Sequence, residues 1–500
     1  MKNGINKWHI GIFLGSMLFM GFSFLFLYYG RINSDEGWYL YASRLVFEGK
    51  KPYQDFAFTQ MPLLPYIYGI PQNLLGQSLW LGRITSILFS FINFGCCVFI
   101  SKRYSGNMAG GVTALLFGAF TQGIYFSSIV KTYSLLSLLF TLTLVALSAR
   151  SHSDKKYSFA VFFALLATLV RLSAVTFTVL IVLFSLYKTK VTKHKLFIGF
   201  SCIITIVIIL FMVQPNIQAA YWNLLGHHLG QWEDLSLWSR LREIISNRAP
   251  LFITYFFYYF LLGGIIILFS IPHRRKVVSY FRRHVELLVI MFGLFMFMCT
   301  HFLTGGFYTE YFVPGVFTLL PIFGISFTKL SSQTKETRLA RVTLRVVFIA
   351  TLIFSFVLLG YVEVSGEQPP LQEVKELSSF IAEKTEPSDN LLLLETLYLA
   401  VDAERTVLPG LSMAHFSLVH LGNSEATNLK LVNGSIIQQY IVDQKAKIIV
   451  LSNLDWSLLQ QYKSITEIRN SLAAYYDLAF TRDNFGQHNN ILYIYTLKDQ

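Results

Sequence analysis

Residues 196–213 read LFIGFSCIITIVIILFMV, eighteen consecutive residues without a charge. At 1.5 Å per residue such a helix covers about 27 Å, close to the roughly 30 Å hydrocarbon core of a bilayer. Water tolerates no helix that is apolar on every side, so this stretch is a membrane span. The rest of the chain repeats the pattern. Of its 500 residues, 54% are hydrophobic and only 14% charged, where soluble domains carry about 25% charged residues. This composition excludes a cytosolic enzyme, a disordered chain and a secreted disulfide scaffold. Cys96, Cys97, Cys202 and Cys299 all lie in apolar stretches, so neither a disulfide framework nor a zinc site is in view. The fold class is a polytopic α-helical membrane protein.

Working outward from 196–213, the apolar runs place spans at 8–30, 84–101, 109–127, 133–149, 157–170 and 172–187 before it, and at 251–271, 286–303, 311–328 and 342–361 after it. The first run has no small-residue cleavage pattern and reads as a retained helix, not a removable signal. The runs 157–170 and 172–187 are short and meet at Arg171; one long helix there is the alternative. Charge orders the series. Every second connection, starting from the N-terminus, carries the basic residues: Lys2 and Lys7; Lys102 and Arg103; Arg150, Lys155 and Lys156; Lys188, Lys190, Lys193 and Lys195; Arg274, Arg275, Lys276, Arg282 and Arg283; Lys329, Lys335, Arg338, Arg341 and Arg345. These connections hold 21 basic residues against two acids, Asp154 and Glu336, while the rest of the chain holds 20 basic and 26 acidic residues. By the positive-inside rule the result is eleven spans, with the N-terminus in the cytoplasm and the C-terminus outside. The net charge of +13 is thus a topology signal, and no nucleic-acid partner is needed to explain it.

Residues 1–361 form the membrane unit on this reading, and 362–500 a second unit with 10 basic and 17 acidic residues. In the second unit, short apolar strands at 391–395, 447–452 and 491–496 alternate with helical patterns such as 371–384. That is the signature of a small extracytoplasmic α/β domain.

Three outer connections are rich in polar and aromatic residues. The longest, 31–83, exceeds the length of an ordinary turn, which marks it as functional. It opens Asn33-Ser34-Asp35-Glu36 and continues with Trp38, Tyr39, Tyr41, Ala42, Leu45 and Val46, the spacing of an amphipathic helix lying flat at the interface and ended by Gly49. Two readings of Asp35 and Glu36 stand side by side. Carboxylates at a helix start complement the macrodipole, and Asn33 with Glu36 three later approaches a capping box. Two adjacent carboxylates at the membrane surface can equally take a proton from an acceptor hydroxyl or hold a metal. The second connection, 214–250, holds His227-His228, Glu233 and Asp234; adjacent histidines on a helix diverge, which disfavours a shared metal. The third, 304–314, carries Tyr308, Glu310 and Tyr311. Arg83, Lys131 and Arg171 stand at outer span ends. Each alone is consistent with snorkelling to the headgroups. Together the three can compensate a lipid-linked phosphate, with Arg171 in the cusp of a helical hairpin best placed to do so.

Over 35–83 the chain resembles the GT-C integral-membrane glycosyltransferases, in particular bacterial relatives of the protein O-mannosyltransferases and the lipid A aminoarabinose transferase. Asp35-Glu36, Tyr39, Ala42, Gly49, Pro52-Tyr53, Asp55-Phe56, Pro62-Leu63, Tyr66 and Gly82-Arg83 carry the likeness, and a weaker one runs to about residue 330. The resemblance implies a GT-C fold and a hexosyl- or pentosyltransferase. It would move a sugar from a polyprenyl-phosphate donor to a hydroxyl of a protein, lipid or polysaccharide at the outer membrane face. It implies Asp35 and Glu36 as catalytic acids, with Arg171, Lys131, Arg83 and Gln60 for the donor phosphate and Tyr308, Glu310 and Tyr311 for substrate. It leaves a divalent metal open. Two positions depart from the family: Gln60-Met61-Pro62 stands where some relatives have a Lys before Pro-Pro, and Lys131 stands where many have an acid. A flippase of lipid-linked sugars shares the many spans but needs no acid-led outer loop; an inactive scaffold with a partner-binding outer domain is the third reading.

Single cysteines introduced at Ser388 and Ser279 test the topology. A membrane-impermeant thiol reagent is expected to label the first and spare the second in intact cells; the reverse pattern inverts the assignment.

Overall fold

The computed structural model describes residues 7–150, 153–226, 236–303, 307–333, 338–357, 369–462 and 465–498. His227, His228, Glu233 and Asp234 lie outside them, as do the 361/362 boundary and the end of the eleventh expected span.

The first half of the chain is built from α1 (Lys7–Tyr29), α2 (Ser34–Phe47), α3 (Leu63–Leu75), α4 (Leu79–Ala119), α5 (Thr121–Ser128), α6 (Thr132–Leu147), α7 (Lys155–Val170), α8 (Val175–Lys188) and α9 (Thr192–Val213). Among the described residues six helices are long and apolar enough to cross a membrane, or seven if α5 and α6, bent by 110°, count as one broken span. The eleven expected spans differ from this number for a geometric reason. The 41-residue α4 is broken at Ser105–Gly106. Across the break Ser101 and Thr113 pair at 2.7 Å, and the rings of Phe94 and Phe117 lie 5.2 Å apart. The two halves therefore run antiparallel; the first corresponds to the expected span at 84–101 and the second to the first part of 109–127, whose remainder lies in α5. The pair 157–170 and 172–187 is likewise two helices, α7 and α8, separated by Arg171 in extended conformation.

The connections segregate to two faces. On one, Tyr104 bonds to Ser148 and Glu286, and Lys329 lies over the Tyr280 ring; these belong to the basic series. On the other gather Asp35, Lys131, Arg171 and Glu310.

The C-terminal unit is a five-stranded sheet of order β2-β1-β3-β5-β4, with β1 (Asn390–Leu393), β2 (Thr406–Val407), β3 (Ile448–Ser452), β4 (Tyr476–Phe485) and β5 (Asn490–Leu497). β1 runs parallel to β2 and β3, while β5 runs antiparallel to β3 and β4. The expected strands 391–395, 447–452 and 491–496 coincide with β1, β3 and β5. β4 carries no apolar run because most of its residues face water.

One expectation is corrected. α2 does not lie flat at the interface with a polar face outward, because eleven of its 14 residues are buried. It is covered on one side by membrane helices and on the other by the C-terminal unit. The Tyr41 hydroxyl accepts the Val407 N–H at 3.1 Å, and the Gln487 side-chain oxygen accepts from the Ser34 amide and hydroxyl at 3.0 Å. The aromatic spacing that reads as amphipathic is a two-sided core. The helix does end at Gly49, in the left-handed region, with the Gly49 and Lys50 amides bonded back to Val46 and Leu45.

The tightest docking point is Gly37. A Cβ there would lie 2.4 Å from the Tyr398 backbone nitrogen and 2.9 Å from the Leu397 carbonyl carbon. Neither is a flexible side-chain end, so Gly37→Ala is expected to cost about 1–3 kcal/mol. Its thermal midpoint in detergent should fall by several degrees, and an unchanged midpoint would show that the two units do not meet here.

Candidate active site

The site begins with a cap. At the start of α2 the Asn33 side chain accepts from the Asp35 amide and the Glu36 carboxylate accepts from the Asn33 amide, a complete capping box. Glu36 is also paired with Arg83 through two bonds, Nη2 to Oε1 at 2.6 Å and Nε to Oε2 at 2.8 Å, both side chains having no exposed surface. The Val130 amide donates to the second oxygen at 3.1 Å. Arg83 spends its remaining N–H groups on the carbonyls of Phe26, Leu27, Gly30 and Arg31, at the C-terminal end of α1. Carbonyls left open by a helix end attract a cation, and here a guanidinium caps them.

This geometry corrects two sequence expectations. Glu36 has both oxygens engaged by protein donors and Arg83 has all its donors engaged by protein acceptors, so neither has a group left for an acceptor hydroxyl or a phosphate. They are the anchor of the loop. Gln60 is half-buried; among the described residues its only hydrogen bond is through its carbonyl, from the Tyr53 hydroxyl, and it does not join the cluster below.

The cap turns Asp35 the other way. Its Oδ2 lies 2.9 Å from Lys131 Nζ, and its Oδ1 accepts from the Trp38 indole at 3.2 Å. Lys131, in the extended break between α5 and α6, reaches Glu310 at 3.4 Å as well. One ammonium thus bridges two carboxylates. It is almost buried, whereas Asp35 and Glu310 keep 23% and 14% of their side-chain surface exposed. Burial alone would raise the Asp35 pKa; the Lys131 ammonium outweighs it and holds the carboxyl below its ordinary value.

A second cation closes the group. Arg171 bonds to the Thr132 hydroxyl at 3.1 Å and lies over the Tyr311 ring at 4.2 Å and the Tyr133 ring at 5.6 Å. The Tyr308 and Tyr311 rings lie 5.4 Å apart. Asp35, Lys131, Arg171, Tyr308, Glu310 and Tyr311, drawn from four separate connections, therefore share one patch. Thr132, Tyr133 and Trp38 also belong to it and were not singled out from the sequence as site residues. Trp38 had a readable signal, lying one helical turn after Asp35. The cluster supplies a carboxylate held ionised, two cations and an aromatic wall. Among the described residues no group of three or more His, Cys, Asp or Glu is placed to hold a metal.

Breaking a buried ion pair costs about 3–5 kcal/mol because a charge is left unpaired. A capping-box glutamate on its own tolerates Gln. Glu36→Gln, which leaves Arg83 without a counter-charge, is therefore expected to be strongly destabilising. The double change Glu36→Gln with Arg83→Met should recover part of the loss, measured by thermal unfolding of the purified proteins. A mild, additive pair of effects would reduce Glu36 to a cap.

Residues 55–217 match the family described as dolichyl-phosphate-mannose-protein mannosyltransferase. A search of curated protein sequences returns no match. Among solved structures, ArnT from Cupriavidus metallidurans bound to undecaprenyl phosphate superposes with a TM-score of 0.61 at 12% identity, covering 98% of each chain. Its apo state gives 0.60 at 13% identity over 97% of each chain. The apo oligosaccharyltransferase from Archaeoglobus fulgidus gives 0.50 at 10% identity, over 99% of this chain and 75% of that one. At these identities the likeness is one of fold. The chain is a multi-pass membrane protein with the GT-C fold of the integral-membrane glycosyltransferases, and its segment 55–217 is similar to the dolichyl-phosphate-mannose-protein mannosyltransferases.

Proposed function

We propose that the protein transfers a sugar from a polyprenyl-phosphate donor to an acceptor hydroxyl on the extracytoplasmic face, with Asp35 as general base. The observation that carries this reading is the Asp35–Lys131–Glu310 bridge beside Arg171: one ionised carboxylate and two cations, partly open, assembled from connections far apart in sequence. The presence of undecaprenyl phosphate in the ArnT structure supports a lipid phosphate as the donor's leaving group. The 21-to-2 basic bias supports placing the cluster outside. On this reading residues 1–361 are the catalytic unit and 362–500 the extracytoplasmic cover of α2.

The chemistry follows from the charges. The acceptor oxygen attacks the anomeric carbon as Asp35 takes its proton, and the bond from that carbon to the phosphate oxygen breaks. Charge that accumulates on the departing phosphate is met by Lys131 and Arg171, whose guanidinium can engage two oxygens at once. Lys131 has a double part. In the resting protein it keeps Asp35 ionised and therefore weakly basic. A bound phosphate competes for the ammonium, which returns basicity to Asp35 when the substrate is in place. Glu310 holds Lys131 within reach of both, and Tyr308 and Tyr311 offer faces on which a sugar ring can lie.

Asp35→Asn keeps the size and can still accept from the Trp38 indole but takes up no proton. Turnover is expected to fall about 10²–10⁴-fold while donor binding and thermal stability stay near the parent values. Near-parent turnover would remove Asp35 as the base. A pH profile tests the bridge independently. Because Lys131 holds Asp35 below its ordinary pKa, the parent's activity should persist until the pH drops below the usual carboxylate range near 4. In Lys131→Met burial keeps raising the Asp35 pKa and loses its largest opponent, leaving the weaker Trp38 bond and the His415 charge, so the acid limb should move to higher pH. A limb that stays in place would exclude Asp35 as the group that titrates. Arg171→Ala should weaken donor binding with little loss of stability; equal donor affinity would return Arg171 to a snorkelling role.

A further inference from the structure

A cavity of about 780 Å³ opens on the face opposite the Asp35 cluster, between the helices Ala249–Ser270, Arg274–Arg283, Val285–Leu303 and Val313–Gln333. Its volume falls in the range of roughly 300–1,000 Å³ typical of small-molecule sites. Its floor is apolar, with Ile266 from the first helix and Ile322 from the last. Its rim is cationic, with Arg275, Lys276, Arg283 and Lys329.

The rim is built by periodicity. In the helix Arg274–Arg283, Arg275, Ser279 and Arg283 recur at intervals of four and share one stripe with Lys276 and Tyr280 beside it. The Lys329 ammonium crosses from the facing helix to lie 4.9 Å from the centre of the Tyr280 ring. Among the described residues none of the four cations has an acidic partner within 4.0 Å. The neighbouring acid, Glu286, already accepts from Tyr104 at 2.7 Å and meets His284 at 3.3 Å. Four cations converging on one opening without a counter-charge repel one another, and an anion at the rim relieves that repulsion. An apolar floor below a cationic rim, at the level where helices leave the bilayer, matches the cross-section of a lipid whose headgroup is anionic.

We propose that this cavity is a binding site for an anionic phospholipid, acyl chains against the Ile266–Ile322 floor and headgroup phosphate against Arg275, Lys276, Arg283 and Lys329. It lies away from the Asp35 cluster and does not depend on the proposed transfer reaction. By tying the helix Arg274–Arg283 to the membrane helices, the lipid would join two walls of the cavity that are otherwise linked around a repulsive rim.

The test uses the full-length protein, delipidated in a neutral detergent and titrated with dioleoyl phosphatidylglycerol, dioleoyl phosphatidylcholine, undecaprenyl phosphate or inorganic phosphate while thermal stability is followed. Phosphatidylglycerol is expected to raise the midpoint saturably, and phosphatidylcholine and inorganic phosphate are not. The triple variant Arg275→Gln, Lys276→Gln, Arg283→Gln should need at least tenfold more phosphatidylglycerol for the same shift. The double variant Arg274→Gln, Arg282→Gln removes two charges of the same helix that do not line the cavity and should titrate like the parent. These are exposed positions, so folding of the variants is not at stake. Equal responses of the two variants would overturn the proposal in favour of diffuse surface charge. Equal responses to phosphatidylcholine, or to inorganic phosphate alone, would overturn it as well. So would a shift with undecaprenyl phosphate and none with phosphatidylglycerol.

Discussion

The Glu36–Arg83 pair is the constraint on which the outer half of the molecule depends. It joins four places at once: the last carbonyls of α1, the first turn of α2, the second turn of α4 and the Val130 amide just before α6. Each place has polar groups that a buried position would otherwise leave unsatisfied, and the penalty for that is larger than the gain from an ordinary hydrogen bond. Two ions without exposed surface are costly to desolvate, so such a pair gives little net stability by itself. What it gives is uniqueness of arrangement. Only one placement of α1, α2 and α4 satisfies all its bonds together, and that placement orients Asp35, the residue just before Glu36, toward Lys131.

The same arrangement explains why adjacent carboxylates have opposite roles. Successive residues on a helix point about 100° apart, so when Glu36 turns inward to Arg83, Asp35 is carried to Lys131. The Val130 amide bonds to Glu36 and Lys131 follows it in the chain, so the pair also fixes where the bridging ammonium stands. The Lys131 bridge then inverts what a pair of acids would do in its absence. Burial beside a second carboxylate disfavours the charged form of Asp35, and the ammonium shared with Glu310 outweighs this and holds Asp35 below its ordinary pKa. The fold thus uses one buried cation to set the scaffold and a second, nearly buried, to set the charge of the site.

Much of the membrane half was legible because hydrophobic run length and charge bias are local signals. The hairpin inside α4 and the separation of α7 from α8 at Arg171 follow from them directly. In the site, Asp35, Lys131, Arg171, Glu310, Tyr308 and Tyr311 were identifiable as polar residues at span ends on one side. Their partners were not. Nothing in the spacing of Glu36 and Arg83, 47 residues apart, distinguishes a structural ion pair from two functional groups, since both require a charge at a membrane boundary. The helix α2 misled for a related reason. A helix buried between two different surfaces shows the same apolar stripe as one resting on a membrane, and the second surface here, the short helix Tyr398–Asp402, lies more than 350 residues away. Strand β4 was silent because an exposed edge strand carries polar residues where a buried one carries apolar ones.

The C-terminal unit meets the membrane helices at a further charged point. Asp402 accepts the Leu79 amide at 2.6 Å, at the first residue of α4 and one turn before Arg83. Burial raises its pKa to about 7; the Leu79 bond opposes the shift, and the Glu36 carboxylate adds to it. An unfolded aspartate titrates near 4, so between these values the folded protein binds a proton that the unfolded chain does not. The stability contributed by that proton is full below the unfolded pKa and is lost as the pH rises through about 7. This dependence is opposite in sign to that of Asp35, which an ammonium holds ionised. Both carboxylates adjoin the Glu36–Arg83 pair, Asp35 through its neighbour in the chain and Asp402 through its bond to the first residue of α4. Acid therefore adds to the stability of the contact between the C-terminal unit and α4 before it begins to neutralise the base, whereas above about pH 7 this contribution is lost while Asp35 remains ionised.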